Sequence, residues 1–219
     1  MIDLHNHTLF SDGALVPAEL IQRHHALGNR AVAITDHVDP SNIDLVLPRV
    51  ITACQQLNRH NRVQALAGVE LTHVPPALIG PMIRQARDMG AQIVVVHGQT
   101  IVEPVPPGTN LAAIQAGADI LAHPGLLTAE EAALAAARGV ALEISARKGH
   151  CLTNGHVARL ALAHGAALVI NTDGHAPGDL IDRARARQVG LGAGLDEAQV
   201  QTAFENAARI ATRAGLILA

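Results

Sequence analysis

Short apolar, β-branched runs recur along the chain, and a longer alanine-rich amphipathic stretch follows each one. The runs at 2–6, 30–35 (RAVAIT), 64–69 (QALAGV), 92–96 (QIVVV), 118–122 (ADILA), 140–145 (VALEIS) and 167–171 (ALVIN) read as strands. Between them, apolar positions three and four apart predict helices near 17–27, 42–60, 78–89, 110–117, 128–138, 154–165, 178–188 and 196–214. Ser41 and Thr128 stand at cap positions, and Gly28, Gly90, Gly117, Gly139 and Gly165 stand where helices should stop. A helix ended by glycine and followed within a few residues by a strand is βαβ repetition, which builds a parallel sheet. Seven such strands can close into a barrel, and an open doubly wound sheet is the competing architecture. No linker-like stretch divides residues 1–219, so a single domain is expected. The Pro-rich EPVPPGTN at 103–110 reads as a loop over one end.

Each strand but one ends in a group able to bind a metal. The first gives His5 and His7, with Asp12 on the turn-like SDG that follows. The others give Asp36 and His37 (TDH), Glu70 (GVE), His97 (VVVH), His123 (AHPG), and Asp173 with His175 (NTDGH). Only the sixth, EIS, lacks one; it runs into ARKGH. In a parallel α/β fold the carboxyl ends of all strands share one face, and active sites form there. A single His-Pro or Asp-His pair means little, but six strand ends of this kind point to a metal centre. Its candidate ligands are His5, His7, Asp12, His37, Glu70, His97, His123, Asp173 and His175. One catalytic zinc takes about three protein ligands and a water. Nine donors therefore suit two or three ions, with Glu70 as a possible bridge. Imidazole and carboxylate suit Zn, Mn or Fe, and no cysteine joins the set.

Composition narrows the partners. The chain of 219 residues carries a formal net charge of −3, with no Trp, no Tyr and two Phe. Neither a basic footprint nor stacking rings are present for a long nucleic acid. No apolar run reaches the ~18–20 residues of a membrane span. The N-terminal segment reads as strand, with no signal-peptide pattern. Cys54 and Cys151, the two cysteines, resemble no disulfide framework, so a reducing, cytoplasmic setting is expected. Histidine is abundant, at 13 residues. His24, His25, His60, His156 and His164 fall in helix-like stretches with polar neighbours and read as surface residues.

The ordered set DLHNHTLFSDG, ITDH, GVE, VVVH, AHPG and NTDGH, running from residue 3 to residue 175, resembles the PHP (polymerase and histidinol phosphatase) domain family. The resemblance implies a distorted seven-stranded TIM-like (β/α)7 barrel with up to three metals at the C-terminal rim, a trinuclear site at full occupancy. All nine family ligand positions are filled, with Asp12 where some relatives carry His. The size and layout resemble the stand-alone histidinol-phosphate-phosphatase-like branch.

The expected activity is metal-dependent hydrolysis of a phosphate monoester on a small metabolite. Metal-activated hydroxide would be the nucleophile, because no GxSxG or ligand-adjacent Cys offers a protein one. Three divalent ions (about +6) against three carboxylates (about −3) would favour a phosphate dianion. Arg147 and Lys148, in EISARKGH, are candidates for binding substrate phosphate, with a solvated basic loop as the alternative. Asp3, Asp36 and Asn171 read either as residues that orient ligand imidazoles or as hydrogen bonds in the barrel floor. His73 reads as an exposed loop residue or part of the substrate mouth. The other functions weighed are a phosphodiesterase or nuclease acting on nucleotides or short nucleic acid, an aminohydrolase-type barrel, and a non-catalytic metal-stabilised binding domain.

Overall fold

A computed structural model describes residues 1–216. Seven parallel staves form a nearly closed barrel. They are β1 (Ile2–Asp3), β2 (Ala31–Ile34), β4 (Gln64–Leu71), β5 (Ile93–His97), β6 (Ile120–Ala122), β7 (Ala141–Ser145) and β8 (Leu168–Asn171), neighbours in that order. The short β3 (His37–Val38) pairs with the upper half of β4, at Glu70 and Leu71, while β2 pairs with its lower half. Together β2 and β3 make one stave broken at Thr35–Asp36, a break that the run at 30–35 does not announce.

The barrel follows from period-two alternation. Ala31, Ala33, Ile93, Val95, Ile120, Ala122 and Val169 join one buried cluster, while their neighbours Val32, Ile34, Val94, Val96, Leu121 and Ile170 join another. The first set fills the barrel and the second faces the surrounding helices. The helices are α1 (Pro17–Ala26), α2 (Ile43–Leu57), α3 (Pro76–Asp88), α4 (Thr109–Ala116), α5 (Ala129–Arg138), α6 (Asn154–His164), α7 (Arg183–Gly192) and α8 (Glu197–Arg213). The helix α8 packs on β8 and β1, and its Ala207, Ile210 and Ala211 complete the inner cluster.

Thr128 caps α5 through a full capping box with Glu131. Ser41 does not cap α2; its hydroxyl donates to Asp39 instead. The helix expected at 178–188 begins later, at Arg183. Pro177–Asp179 forms a 3-10 turn, and the Asp182 side chain accepts from Arg185 N to set the true start.

The seam between β8 and β1 has no regular ladder and is closed largely by side chains. Leu4 N donates to Asn171 Oδ1 at 2.9 Å, and the Thr172 hydroxyl and amide both donate to Asp3. His7 N donates to Gly174 O at 2.9 Å. A Cβ at Gly174 would lie 2.9 Å from Asn6 Oδ1 and 2.7 Å from Leu180 Cδ2, so glycine is what lets the segments approach. Asp3 and Asn171 therefore lace the barrel; Asp3 touches no ligand imidazole. Strict alternation does not run through residues 2–7: Ile2 and Leu4 point into the barrel, and Asp3 meets Thr172.

Candidate metal centre at the barrel rim

Inward positions climb each stave from apolar to polar. On β5, Ile93 and Val95 lie below His97; on β4, Leu66 lies below Glu70; on β7, Ala141 lies below Glu143. The nine expected donors all reach one rim. They gather in overlapping groups: His7, Asp12, His37 and His175; His5, His7 and Glu70; His5, His123 and Asp173; and His97 and His123 with His150. Within each group the donor atoms lie within 4.8 Å of one another.

Hydrogen bonds fix which imidazole nitrogen is free. His5 Nδ1–H donates to Glu143 Oε1 at 2.9 Å, leaving Nε2 3.2 Å from Glu70 Oε1. His37 Nδ1 lies 2.7 Å from Glu70 Oε2 and 2.6 Å from the Thr72 hydroxyl, so its Nε2 faces Asp12 at 3.4 Å. His175 Nδ1 lies 2.7 Å from Arg147 Nη1 and 3.0 Å from Asp173 O, and His175 Nε2 also faces Asp12, at 3.2 Å. His97 Nδ1–H donates to Gly98 O at 3.1 Å. A ring anchored at one nitrogen and open at the other is the usual posture of a metal-binding histidine.

His5, His7 and Glu70 are fully buried, yet His5 Nε2, both nitrogens of His7, Glu70 Oε1 and His123 Nδ1 make no hydrogen bond. Orphaned buried polar atoms cost about 1–3 kcal/mol each. Five at one spot, all of ligating type, fit divalent cations. Titration is displaced accordingly. Burial lifts the Asp173 carboxyl to about 7, helped by Glu70 and Glu143. Burial opposes ionisation of Glu70, but His5 and His37 hold it well below the usual carboxylate range. Burial, with neighbouring imidazoles, pushes His7 and His123 well below their ordinary value.

Backbone strain collects here too. Among the described residues, the non-glycine residues with positive φ are His73 (53°), His123 (26°) and Asp173 (51°), all at this rim. Such conformations cost of order 1–3 kcal/mol each and persist where surrounding structure enforces them.

The rim encloses a cleft of about 220 Å³. Arg147 lines it, held by Asp173 O at 3.1 Å and His175 Nδ1 at 2.7 Å. Lys148 is exposed and does not line the cleft. His73 lines the mouth, with Nε2 3.4 Å from Glu103. Three groups went unassigned in the sequence. Glu143 anchors His5 and accepts from His123 N. Glu103 reaches in from the Pro-rich loop to His97 Nε2 at 3.0 Å, a contact that draws its carboxyl down to about 2. His150 closes the sixth stave's gap. The ARKGH following EIS was the one signal for it. Asp36 accepts from Thr8 and Ser11 and orders the loop that carries Asp12, without touching an imidazole.

An α/β barrel with imidazole and carboxylate donors converging at its C-terminal rim defines a metal-site barrel. A model of the PHP domain matches residues 3–100. An uncharacterized protein of Methanocaldococcus jannaschii is 48% identical over 201 residues, covering 91% of this chain and 92% of that protein. The chain belongs to the PHP domain family. Among solved structures, a chain of an archaeal ribonuclease P complex with mature tRNA superposes with TM-score 0.74 at 18% identity, over 98% of this chain and 91% of that one. Histidinol phosphate phosphatase from Lactococcus lactis, complexed with zinc, L-histidinol and phosphate, gives TM-score 0.62 at 17% identity, over 99% and 94%. At these identities both share the fold. No helix among the described residues is long and apolar enough to cross a membrane.

Proposed function

We propose that this protein is a metal-dependent phosphomonoesterase acting on a small phosphorylated metabolite. The observation that carries the reading is the guanidinium of Arg147 at the edge of a cleft lined by five of the nine donor residues, Asp12, His37, His97, Asp173 and His175. Its support from relatives is the Lactococcus lactis phosphatase, a protein of the same fold complexed with zinc, L-histidinol and phosphate.

His5, His7, Glu70 and Asp173 would hold one ion, His97 and His123 with Glu70 a second, and Asp12, His37 and His175 a third. Such ions, Zn, Mn or Fe, supply Lewis acidity and a water of lowered pKa. The chain's own residues do the rest. Arg147 is steadied on one side by Asp173 and His175 and keeps guanidinium N–H groups for phosphate oxygens. Glu143 holds His5 in one tautomer. The buried floor of Leu4, Val95 and Val169 keeps bulk water from beneath the site. A volume of about 220 Å³ is below the ~300–1,000 Å³ of pockets that engulf drug-sized ligands. The phosphoryl group enters and the alcohol portion stays outside. Hydrolysis joins a water oxygen to phosphorus as the ester P–O bond breaks, and the alkoxide leaves with a proton.

The test is turnover of p-nitrophenyl phosphate, histidinol phosphate, bis-p-nitrophenyl phosphate and single-stranded DNA by protein loaded with zinc or manganese. Phosphomonoester hydrolysis well above the other two classes is expected. Preference for the diester or DNA replaces this reading with a phosphodiesterase, and metal-loaded protein inert toward all of them replaces it with a binding role.

A further inference from the structure

His150 is 4% exposed, and nothing in the nine-donor set accounts for it. Its ring stacks on that of His123, with centroids 4.1 Å apart and planes inclined by 17°. Its Nδ1 is tied to the Thr100 hydroxyl at 2.8 Å, which turns Nε2 toward the donors of His97 and His123. The three imidazole donors lie within 4.8 Å of one another. Glu103 reaches two of them, at 3.0 Å from His97 Nε2 and 3.4 Å from His150 Nε2.

The placement is built. Gly149 has φ of 91°, and a Cβ there would lie 3.4 Å from the Val102 side chain, so the loops carrying His150 and Glu103 abut. Just beyond, Asn154 clamps both the amide and the carbonyl of Ser145 and fixes the exit from β7.

We infer that His150 is a further metal ligand, completing a three-imidazole site with His97 and His123, and that Glu103 is a displaceable donor to the same ion. This rests on the metal-centred reading above and adds to it. With Glu70, placed on the same ion above, the set is three histidines and two carboxylates, Glu103 being the displaceable one, all donors of the kind zinc takes. Glu103, its side chain 36% exposed on the cleft side, stands where an incoming anion would bind. Glu103 would cover that position at rest and would yield it to a substrate oxygen.

The test is zinc titration of metal-stripped protein against a chromophoric chelator, with stoichiometry by elemental analysis and no substrate present. His150→Gln is expected to lose one tightly held ion, or to weaken it by more than the roughly 10–100-fold that an outer partner costs. Glu103→Gln is expected to keep the stoichiometry, weaken the same ion by about tenfold, and alter the visible absorption of the cobalt-loaded protein. Wild-type isotherms and cobalt spectra in both variants overturn the inference. Melting in chelator shows whether His150→Gln folds; if it does not, Thr100→Val decides, weaker binding of that ion supporting the assignment and an unchanged isotherm overturning it. Because no turnover is read, this outcome is separate from whether the protein is a phosphatase.

Discussion

Glu143 Oε1 accepts from His5 Nδ1 at 2.9 Å, both side chains fully buried beneath the rim. The same carboxylate takes a hydrogen bond from Asn171 and another from the His123 amide. One buried anion thus sets the tautomer of His5, on the first stave, and ties it to the fifth, sixth and seventh. Glu143→Gln puts an amide N–H among these donors. Zinc affinity is expected to fall about 10–100-fold, by chelator competition, with the far-ultraviolet dichroism unchanged. Unaltered affinity removes Glu143 from this role.

Arg147 reaches the cleft without belonging to any donor group. Charged hydrogen bonds are worth about 1.5–3 kcal/mol. Arg147→Met should therefore raise KM for a phosphate monoester by about ten- to a hundredfold, while metal content measured by elemental analysis stays at the wild-type level. A KM within error of wild type rules out phosphate binding by this residue.

His24 contradicts its sequence reading. The helical stretch with polar neighbours suggested a surface residue, but His24 is fully buried between Asn6 Oδ1 at 3.2 Å and Asn29 Nδ2 at 2.9 Å. Burial lowers its pKa, and the charged N-terminus adds to this while Asp3 opposes it. The folded state thus binds a proton less readily than the unfolded chain, whose histidine titrates near 6.5. His24's contribution is present above that pH and is lost as pH falls from about 6.5 through the lower folded value. Urea unfolding of metal-stripped protein from pH 7.5 to 5 should show a steeper loss of stability in wild type than in His24→Gln. Parallel curves dismiss the effect.

The cysteines divide sharply. Burial pushes the Cys54 thiol up to about 12, whereas Cys151 is exposed. Thiolate is the reactive form. Native protein should therefore give one equivalent of thiol with Ellman's reagent and two in denaturant; two equivalents released rapidly from native protein would mean that the wall around Cys54 opens readily.

The strands and most helix ends were readable because alternation, glycine stops and Thr128 act locally. The candidate donors other than Asp12 were readable because each sits at or just past the end of an apolar run; Asp12 rides on the turn-like SDG after the first. Glu103 and His150 were not, since both lie on loops whose path is set by tertiary packing of Val102 against Gly149. The interruption between β2 and β3 was hidden because Thr35 and Asp36 take their partners from residues 6, 8 and 11. Asp182 carried a legible cap signal, overshadowed by the earlier Pro177.

The lacing of Asp3 and Leu4 to residues 171 and 172 has a temporal consequence. The ribosome makes Leu4 167 residues before Asn171, whose side chain steadies it. A nascent chain halted before Leu168 carries seven of the nine candidate donors but lacks β8, Asp173 and His175. The rim is thereby completed only once β8 has been made and the first strand can meet it across the seam.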